Sequence, residues 1–391
     1  MPIALFALAI GAFGIGLTEF VIAGILPHIA SDFGVNIPIA GTMATSYALG
    51  VFVGAPLMTV LGAKIPRKAM LISLAIIFTL GNVITALAPT LTIAIVGRVI
   101  TSFNHGAFFG IGSIIAASLV APGRQASAIA FMFSGLTVAN LVGVPAGTWL
   151  AQAFDWRLVF WVIAGIGLVT VAAIASLVPP IEKGKPIALR TELRAFVDPQ
   201  VLLVMGITIF GPAAFFTSIT YIAPMMNKVA GFSDAGVAWL MVLFGLGLAF
   251  GNWTGGRFAD RSLFGTLFVT LTAQGIVLLI FWVGAENQFV AGASVFLMAA
   301  FGFATVSPIQ KLVMDRASHA GAPTMAASVN IGMFNLGNAL GAWAGGTTIT
   351  AGFGLVSPNW AGAILSFIAL GLAFLAWLSA RKGFALHTSS C

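Results

Sequence analysis

Long, nearly uninterrupted apolar runs alternate along this chain with short breaks that collect glycine, proline and charge. Twelve runs reach the roughly 20 residues a helix needs to cross a bilayer. Their cores are 3–26, 38–61, 69–88, 91–118, 126–151, 158–178, 201–224, 235–255, 264–284, 288–309, 324–349 and 357–379. A transmembrane barrel would show segments of about ten residues alternating in polarity. These runs are continuous, so they predict helices. The first lacks a basic segment ahead of it and carries Glu19. It therefore reads as a retained helix and not as a cleaved signal peptide.

Composition strengthens this picture. Of 391 residues, 60% are hydrophobic and 7% charged, and the mean hydropathy is +1.08; an ordinary soluble domain has about 25% charged residues. The chain reads as an integral membrane protein. Its net charge of +7 could suggest a nucleic-acid partner, but the placement of the basic residues reports topology instead. With the N-terminus cytoplasmic, the inner loops and tail hold Lys64, Arg67, Lys68, Arg124, Lys183, Lys185, Arg190, Arg194, Arg257, Arg261, Lys311, Arg316, Arg381 and Lys382, against Arg157 and Lys228 outside. That asymmetry satisfies the positive-inside rule with both termini inside. The single cysteine, Cys391, permits no intrachain disulfide and no cysteine metal cluster. No metal or cofactor is expected.

The longest polar stretch, from Pro179 to Pro199, falls after the sixth run and divides six helices from six. The expected organisation is an N-terminal six-helix bundle over 1–178, a cytoplasmic linker over 179–199, a C-terminal six-helix bundle over 200–380 and a cytoplasmic tail over 381–391. A duplication predicts features recurring at a near-constant offset. Asn140, Gly143 and Gly147 answer Asn338, Gly341 and Gly345, each pair 198 residues apart, and Pro27 answers Pro224 at 197. Six being even, the two copies share one orientation. Parallel repeats about a linker describe many secondary transporters, whose substrates bind near the midplane between rocking halves. Close helix packing would explain the glycines equally well.

Several segments sharpen this reading: "GLTEFVIAGILPHIASDFGV" in the first run, "GRVITSFNHGAFFG" in the fourth, "LTVANLVGVPAG" in the fifth and "GGRFADR" after the eighth. Across its length the chain resembles the major facilitator superfamily, specifically the twelve-helix drug:proton antiporter family and its arabinose-efflux and chloramphenicol-efflux branch. The resemblance implies a cytoplasmic gate latch of the form GxxxDRxGRK after the second helix. Here the sequence departs from the pattern, because Thr59 and Ala63 stand where the glycine and aspartate belong, ahead of Arg67 and Lys68. The second-half counterpart keeps Gly256, Asp260 and Arg261. "GVPAG" resembles the glycine-proline motif associated with antiporters; Pro145 is positioned to kink the fifth helix and Gly143 and Gly147 to admit a neighbouring backbone. Close packing alone would account for those glycines too.

Of 17 basic and 10 acidic residues, only Glu19 and Arg98 lie deep inside the runs, joined by His105. Charge at that depth costs several kcal/mol and usually marks a water-filled path, a partner charge or a proton route. From 1.5 Å of rise per residue, Glu19 lies about 12 Å below Pro27 and Arg98 about 10 Å into the fourth helix, at one level. His105 lies two turns further, on the face flanked by Thr101 and Ser102. Low-dielectric surroundings favour a neutral carboxyl and a nearby guanidinium favours a charged one, so motion of Glu19 relative to Arg98 would load and release a proton. By resemblance the first-helix acid and fourth-helix arginine are proton-coupling positions. The bland alternative is a static ion pair, with His105 hydrogen-bonded to a neighbour and His28 an interfacial residue.

For a substrate cavity the expected residues are Asn104, Asn140, Asn338 and Tyr221 as polar anchors, with Phe103, Phe108, Phe215 and Phe216 as apolar lining. The asparagines could equally be interhelical glue. The expected function is proton-driven export of a small drug-like or sugar-like solute across a bacterial inner membrane, by a functional monomer powered by the proton gradient. Proton symport of a nutrient is the alternative. An intramembrane enzyme or sensor is disfavoured, because the sequence has no HExxH, nucleophilic cysteine, paired carboxylate or P-loop.

Overall fold

In lipid every backbone N–H and C=O must be satisfied within the protein, which leaves helices as the natural state of such apolar runs. The computed structural model describes residues 2–35, 37–180, 195–319 and 323–388. Most of the expected linker, residues 181–194, therefore lies outside the described residues, as do 389–391 of the expected tail. The first six long helices are α1 (Ala4–Asp32), α2 (Thr42–Gly62), α3 (Arg67–Leu87), α4 (Leu91–Ser118), α5 (Gln125–Ala153) and α6 (Trp156–Leu177). The second six begin with α7 (Pro199–Ile219), followed by a short helix, Ile222–Lys228. Then come α8 (Asp234–Ala259), α9 (Leu263–Gly284), α10 (Gln288–Ala304, followed by Val306–His319), α11 (Pro323–Thr348) and α12 (Ser357–Thr388).

By length and apolarity 11 of these qualify as membrane spans. The exception is α11. Its 26 residues would reach about 39 Å, but Ser328, Asn330, Asn335 and Asn338 lower its apolarity. Two ends differ from expectation. Pro27 does not close α1, which continues to Asp32 and stops before Gly34, whose φ of 63° favours glycine. The last helix runs on to Thr388. Several helix starts are capped in the ordinary way: Thr90, Asp155, Asp198, Ser233, Ser262 and Asn287 each accept a backbone N–H from the following turn.

The chain forms two compact units, one of Met1–Leu189 with Thr324–Gly332 and the other of Arg190–Pro323 with Met333–Cys391. Within the first, α3 packs on α4 and α6, α2 on α4, and α1 on α5 and α6. Within the second, α9 packs on α10 and α12, α8 on α10, and α7 on α12. The pairings recur with a shift of six helices, so the repeat read from glycine spacing is also a repeat of packing. Gly143 lies against Phe13 and Leu17 and Gly147 against Val21, while Gly341 lies against Ala213 and Phe216 and Gly345 against Thr217 and Tyr221. Many large apolar side chains along these helices are exposed, Val283 and Trp239 among them, as a lipid-facing surface would have them.

Candidate functional site

Arg98 is fully buried. The chain brings it there where α3 and α4 touch: a Cβ on Gly97 would come within 2.8 Å of the Gly81 carbonyl oxygen. Its Nη1 donates to the Thr18 carbonyl at 2.7 Å and to Thr18 Oγ1 at 2.9 Å, and its Nε to the Met43 carbonyl at 3.4 Å. The Thr18 hydroxyl in turn donates to Asn82 Oδ1 at 2.9 Å, and Asn82 donates to Phe78 O. The guanidinium carbon stands 4.2 Å from the centre of the Tyr47 ring. Arg98 thus ties α1, α2 and α4 together through neutral oxygens and a π face. Among the described residues no carboxylate lies within 4.0 Å of it, and its Nη2 has no hydrogen-bond partner.

The depth argument placed Arg98 level with Glu19, and the contact with adjacent Thr18 agrees. A direct Glu19–Arg98 pair is absent, however: Nη1 is taken by Thr18, and Nη2 has no partner. Glu19 lies instead 4.0 Å from His105 Nδ1, with side chains 16% and 5% exposed. The same Nδ1 is 3.1 Å from the Tyr47 hydroxyl, and the His105 ring packs against Phe109, centroids 5.2 Å apart. Glu19, Arg98 and His105 therefore belong to one cluster whose connecting member is Tyr47. Sequence reasoning passed over Tyr47, Thr18 and Asn82. A usable signal existed in "TMATSY", a polar cluster of the same kind as the "TSITY" that ends at Tyr221.

The expected cavity residues are placed within each unit as follows. Asn104 is 2% exposed, and its Oδ1 has no partner; Asn338 Oδ1, in the other unit, is likewise buried and partnerless. Asn140 donates to the Leu136 carbonyl at 3.0 Å within its own helix. Tyr221 donates to the Ala342 carbonyl at 2.8 Å and so bonds the end of α7 to α11. Phe108 packs on Gly11 and Phe103 on Gly54. Phe215 sits on Gly302, with the Phe216 ring 4.8 Å away. The rings of three of the four phenylalanines thus fill space beside glycines, and of the expected cavity residues Asn104 and Asn338 each keep a side-chain oxygen without a partner.

At the fifth helix the irregularity precedes the proline. A π-helical turn spans Ala139–Gly143, and Pro145 stands in the first turn of the α-helical stretch that follows, Val144–Ala153. The extra residue in the turn accommodates the missing N–H. Of the motif residues, Lys68 donates from Nζ to the Ala175 carbonyl at 2.7 Å, near the C-terminal end of α6, where carbonyls lack intrahelical donors. Lys68→Met is expected to cost about 0.5–1 kcal/mol, measurable as a slightly lower unfolding temperature. Gly256 is buried and its carbonyl accepts the Asp260 N–H at the end of α8. Arg261 lies over the Phe258 ring at 5.9 Å, and Arg67 begins α3. On the opposite loops, Arg157 pairs with Asp32 at 2.8 Å and donates to the Ala88 carbonyl at 3.0 Å.

Two repeats of six helices, with ionisable groups buried in one of them and no soluble face, define a multi-pass membrane protein of the secondary-transporter class. The sequence profile of the Major Facilitator Superfamily matches residues 8–332, and the chain belongs to that family. It is 46% identical over 378 residues to the inner membrane transport protein YdhP of Escherichia coli K12, covering 97% of this chain and 96% of that one. It is 34% identical over 383 residues to a chloramphenicol resistance protein of Streptomyces lividans, covering 96% of each; this relative agrees with the efflux-like branch indicated by the motifs. Among solved structures, the major facilitator transporter FucP in its outward conformation superposes with a TM-score of 0.79 at 15% identity, over 95% of this chain and 98% of that one. That last likeness is one of fold. The chain is a transporter and not an enzyme.

Proposed function

We propose that this transporter exports a small drug-like or sugar-like organic solute in exchange for protons, by alternating access, with Glu19 as the proton-carrying group. The observation that carries the reading is Arg98: a buried guanidinium with no carboxylate among the described residues within 4.0 Å and one nitrogen unpartnered, held by Thr18, the α1 neighbour of the largely enclosed Glu19. An uncompensated buried charge is costly, so a carboxylate that loses its proton has a reason to approach, and one that gains a proton has a reason to leave. Kinship with a chloramphenicol resistance protein supports export, as does the glycine-proline motif around Pro145. The π-helical turn is the element we assign to bending α5. For solute contact we assign Asn104 as polar anchor in the first unit, with Asn140, Phe103 and Phe108, and Asn338 in the second, with Tyr221, Phe215 and Phe216. Arg67 and Lys68, with Gly256, Asp260 and Arg261, serve the inner gate.

Kinship with an inner membrane protein supports a bacterial inner-membrane location, and the basic loops support cytoplasmic termini. The working unit is a monomer driven by the proton gradient without a cofactor. The test is a compound panel, beginning with chloramphenicol, applied to everted vesicles whose lumenal acidity is followed with a pH-sensitive dye. In wild type a transported compound should discharge the imposed gradient, and in Glu19→Gln at equal expression the response should fall to the empty-vector level. Equal responses in both would remove Glu19 from the mechanism. Lumenal acidification driven by inward solute gradients in right-side-out vesicles would mark a symporter instead.

A further inference from the structure

We infer that Tyr47 is a positioning residue that links the protonation of Glu19 to the Arg98 site through one nitrogen of His105; this rests on the reading of Glu19 as the proton carrier. His105 Nδ1 faces two oxygens at once, Tyr47 Oη at 3.1 Å and Glu19 Oε2 at 4.0 Å. A ring nitrogen is either a donor or an acceptor. When Glu19 is neutral, the Tyr47 hydroxyl donates to an unprotonated Nδ1. When Glu19 is a carboxylate, the neutral imidazole changes tautomer, Nε2 releasing a proton and Nδ1 taking one up; Nδ1 then donates to Glu19 as the 4.0 Å gap closes, and the Tyr47 hydroxyl loses its acceptor. The two arrangements exclude each other, so the hydroxyl reads the charge on Glu19.

The other face of the same residue carries the signal onward. The Tyr47 ring lies under the Arg98 guanidinium at 4.2 Å, and Tyr47 is 2% exposed. A rotation or withdrawal of the ring is therefore felt by a cation that also grips Thr18 and Met43, which joins α1, α2 and α4. Other titratable groups in this unit stand far along their helices. Lys64 follows α2, Arg67 and Lys68 begin α3, Arg124 precedes α5, Asp155 and Arg157 lie at the start of α6, His28 and Asp32 close α1, and α5 and the 324–332 segment contain none. From α3 the neighbour is the neutral Asn82. Glu19, Tyr47, Arg98 and His105 thus form a self-contained set.

The chain has two tyrosines, so its tyrosine spectrum is simple enough to read. Purified full-length protein labelled with 13C at the tyrosine ζ carbon is titrated by NMR, the Tyr47 resonance being the one missing from Tyr47→Phe. Infrared difference spectra follow in parallel the carboxyl band missing from Glu19→Gln. The Tyr47 resonance should move over the same pH interval as the Glu19 band, and the movement should vanish in Glu19→Gln and in His105→Gln. A resonance that stays fixed in wild type, or still moves in Glu19→Gln, overturns the inference; a merely structural tyrosine would do one or the other. In the vesicle assay Tyr47→Phe, which keeps the ring over Arg98, should slow solute-driven proton flux about tenfold, the loss of one positioned hydrogen bond. If Glu19→Gln leaves flux intact while Tyr47 tracks the carboxyl, the link stands and the antiport reading falls. If Glu19→Gln abolishes flux while Tyr47 stays fixed, the link falls alone.

Discussion

Arg98→Ala is expected to abolish solute-driven proton flux, by about 100-fold or more, and to lower stability by about 3 kcal/mol. The substitution removes the donors to the Thr18 carbonyl, Thr18 Oγ1 and the Met43 carbonyl. It also leaves a space over the Tyr47 ring where 4.2 Å contact existed. Three helices lose their shared anchor, and the Thr18 and Met43 carbonyls lose a buried donor. Arg98→Lys separates charge from shape. A lysine keeps the cation but lacks the planar guanidinium that reaches Thr18 from Nη1 and Met43 from Nε at once while lying over an aromatic ring. It should recover much of the stability and little of the flux. Thermal unfolding of the purified variants together with the vesicle assay measures both; wild-type flux in Arg98→Lys would show that charge suffices and the guanidinium is dispensable.

Gly251→Val is expected to be the most damaging packing change, costing about 3 kcal/mol and preventing isolation of a homogeneous protein. Gly247, Gly251 and Gly255 recur every four residues and form one stripe of α8. Each would drive a Cβ into the backbone of α10, at Phe296, Ala300 and Ala304 respectively. For Gly255 the carbonyl oxygen of Ala304 is the nearest atom and its Cα lies at 2.6 Å. Backbone cannot swing aside as a side chain does, so the helices would have to separate along their whole seam. Gly371→Ala is the matched control. Nothing lies within 4 Å of a Cβ there, and alanine favours the helix by about 1 kcal/mol, so that variant should unfold no earlier than wild type. Size-exclusion profiles and unfolding temperatures in one detergent decide the comparison.

Much of the architecture was legible before any coordinates. Hydropathy runs exposed the helices because the bilayer demands length and apolarity together. Matched Asn, Gly and Pro positions exposed the repeat because a duplicated helix pair needs its small residues at the same crossing. Helix ends were less legible. Pro27 looked like the close of α1, yet the helix continues to Asp32, since a proline removes only one internal bond. The irregularity assigned to Pro145 lies one turn earlier, in the π-helical turn Ala139–Gly143.

The sequence by itself determined that this chain lives in a membrane, that it is twelve helices built as two sixes, and that Glu19, Arg98 and His105 are its exceptional residues. Those properties follow from composition and spacing along one helix, where 1.5 Å per residue sets depth and a two-turn interval sets the face. Only the tertiary structure decided the partners. Which oxygen meets a guanidinium depends on the rotation of α1, α2 and α4 about their own axes. That rotation is set by close approaches such as those at Gly50 and Gly54 for α2 and at Gly11 for α1, all against α4, and not by any local pattern. It turned Thr18 toward Arg98 in place of Glu19, and it brought Tyr47, inconspicuous in the sequence, between Arg98 and His105.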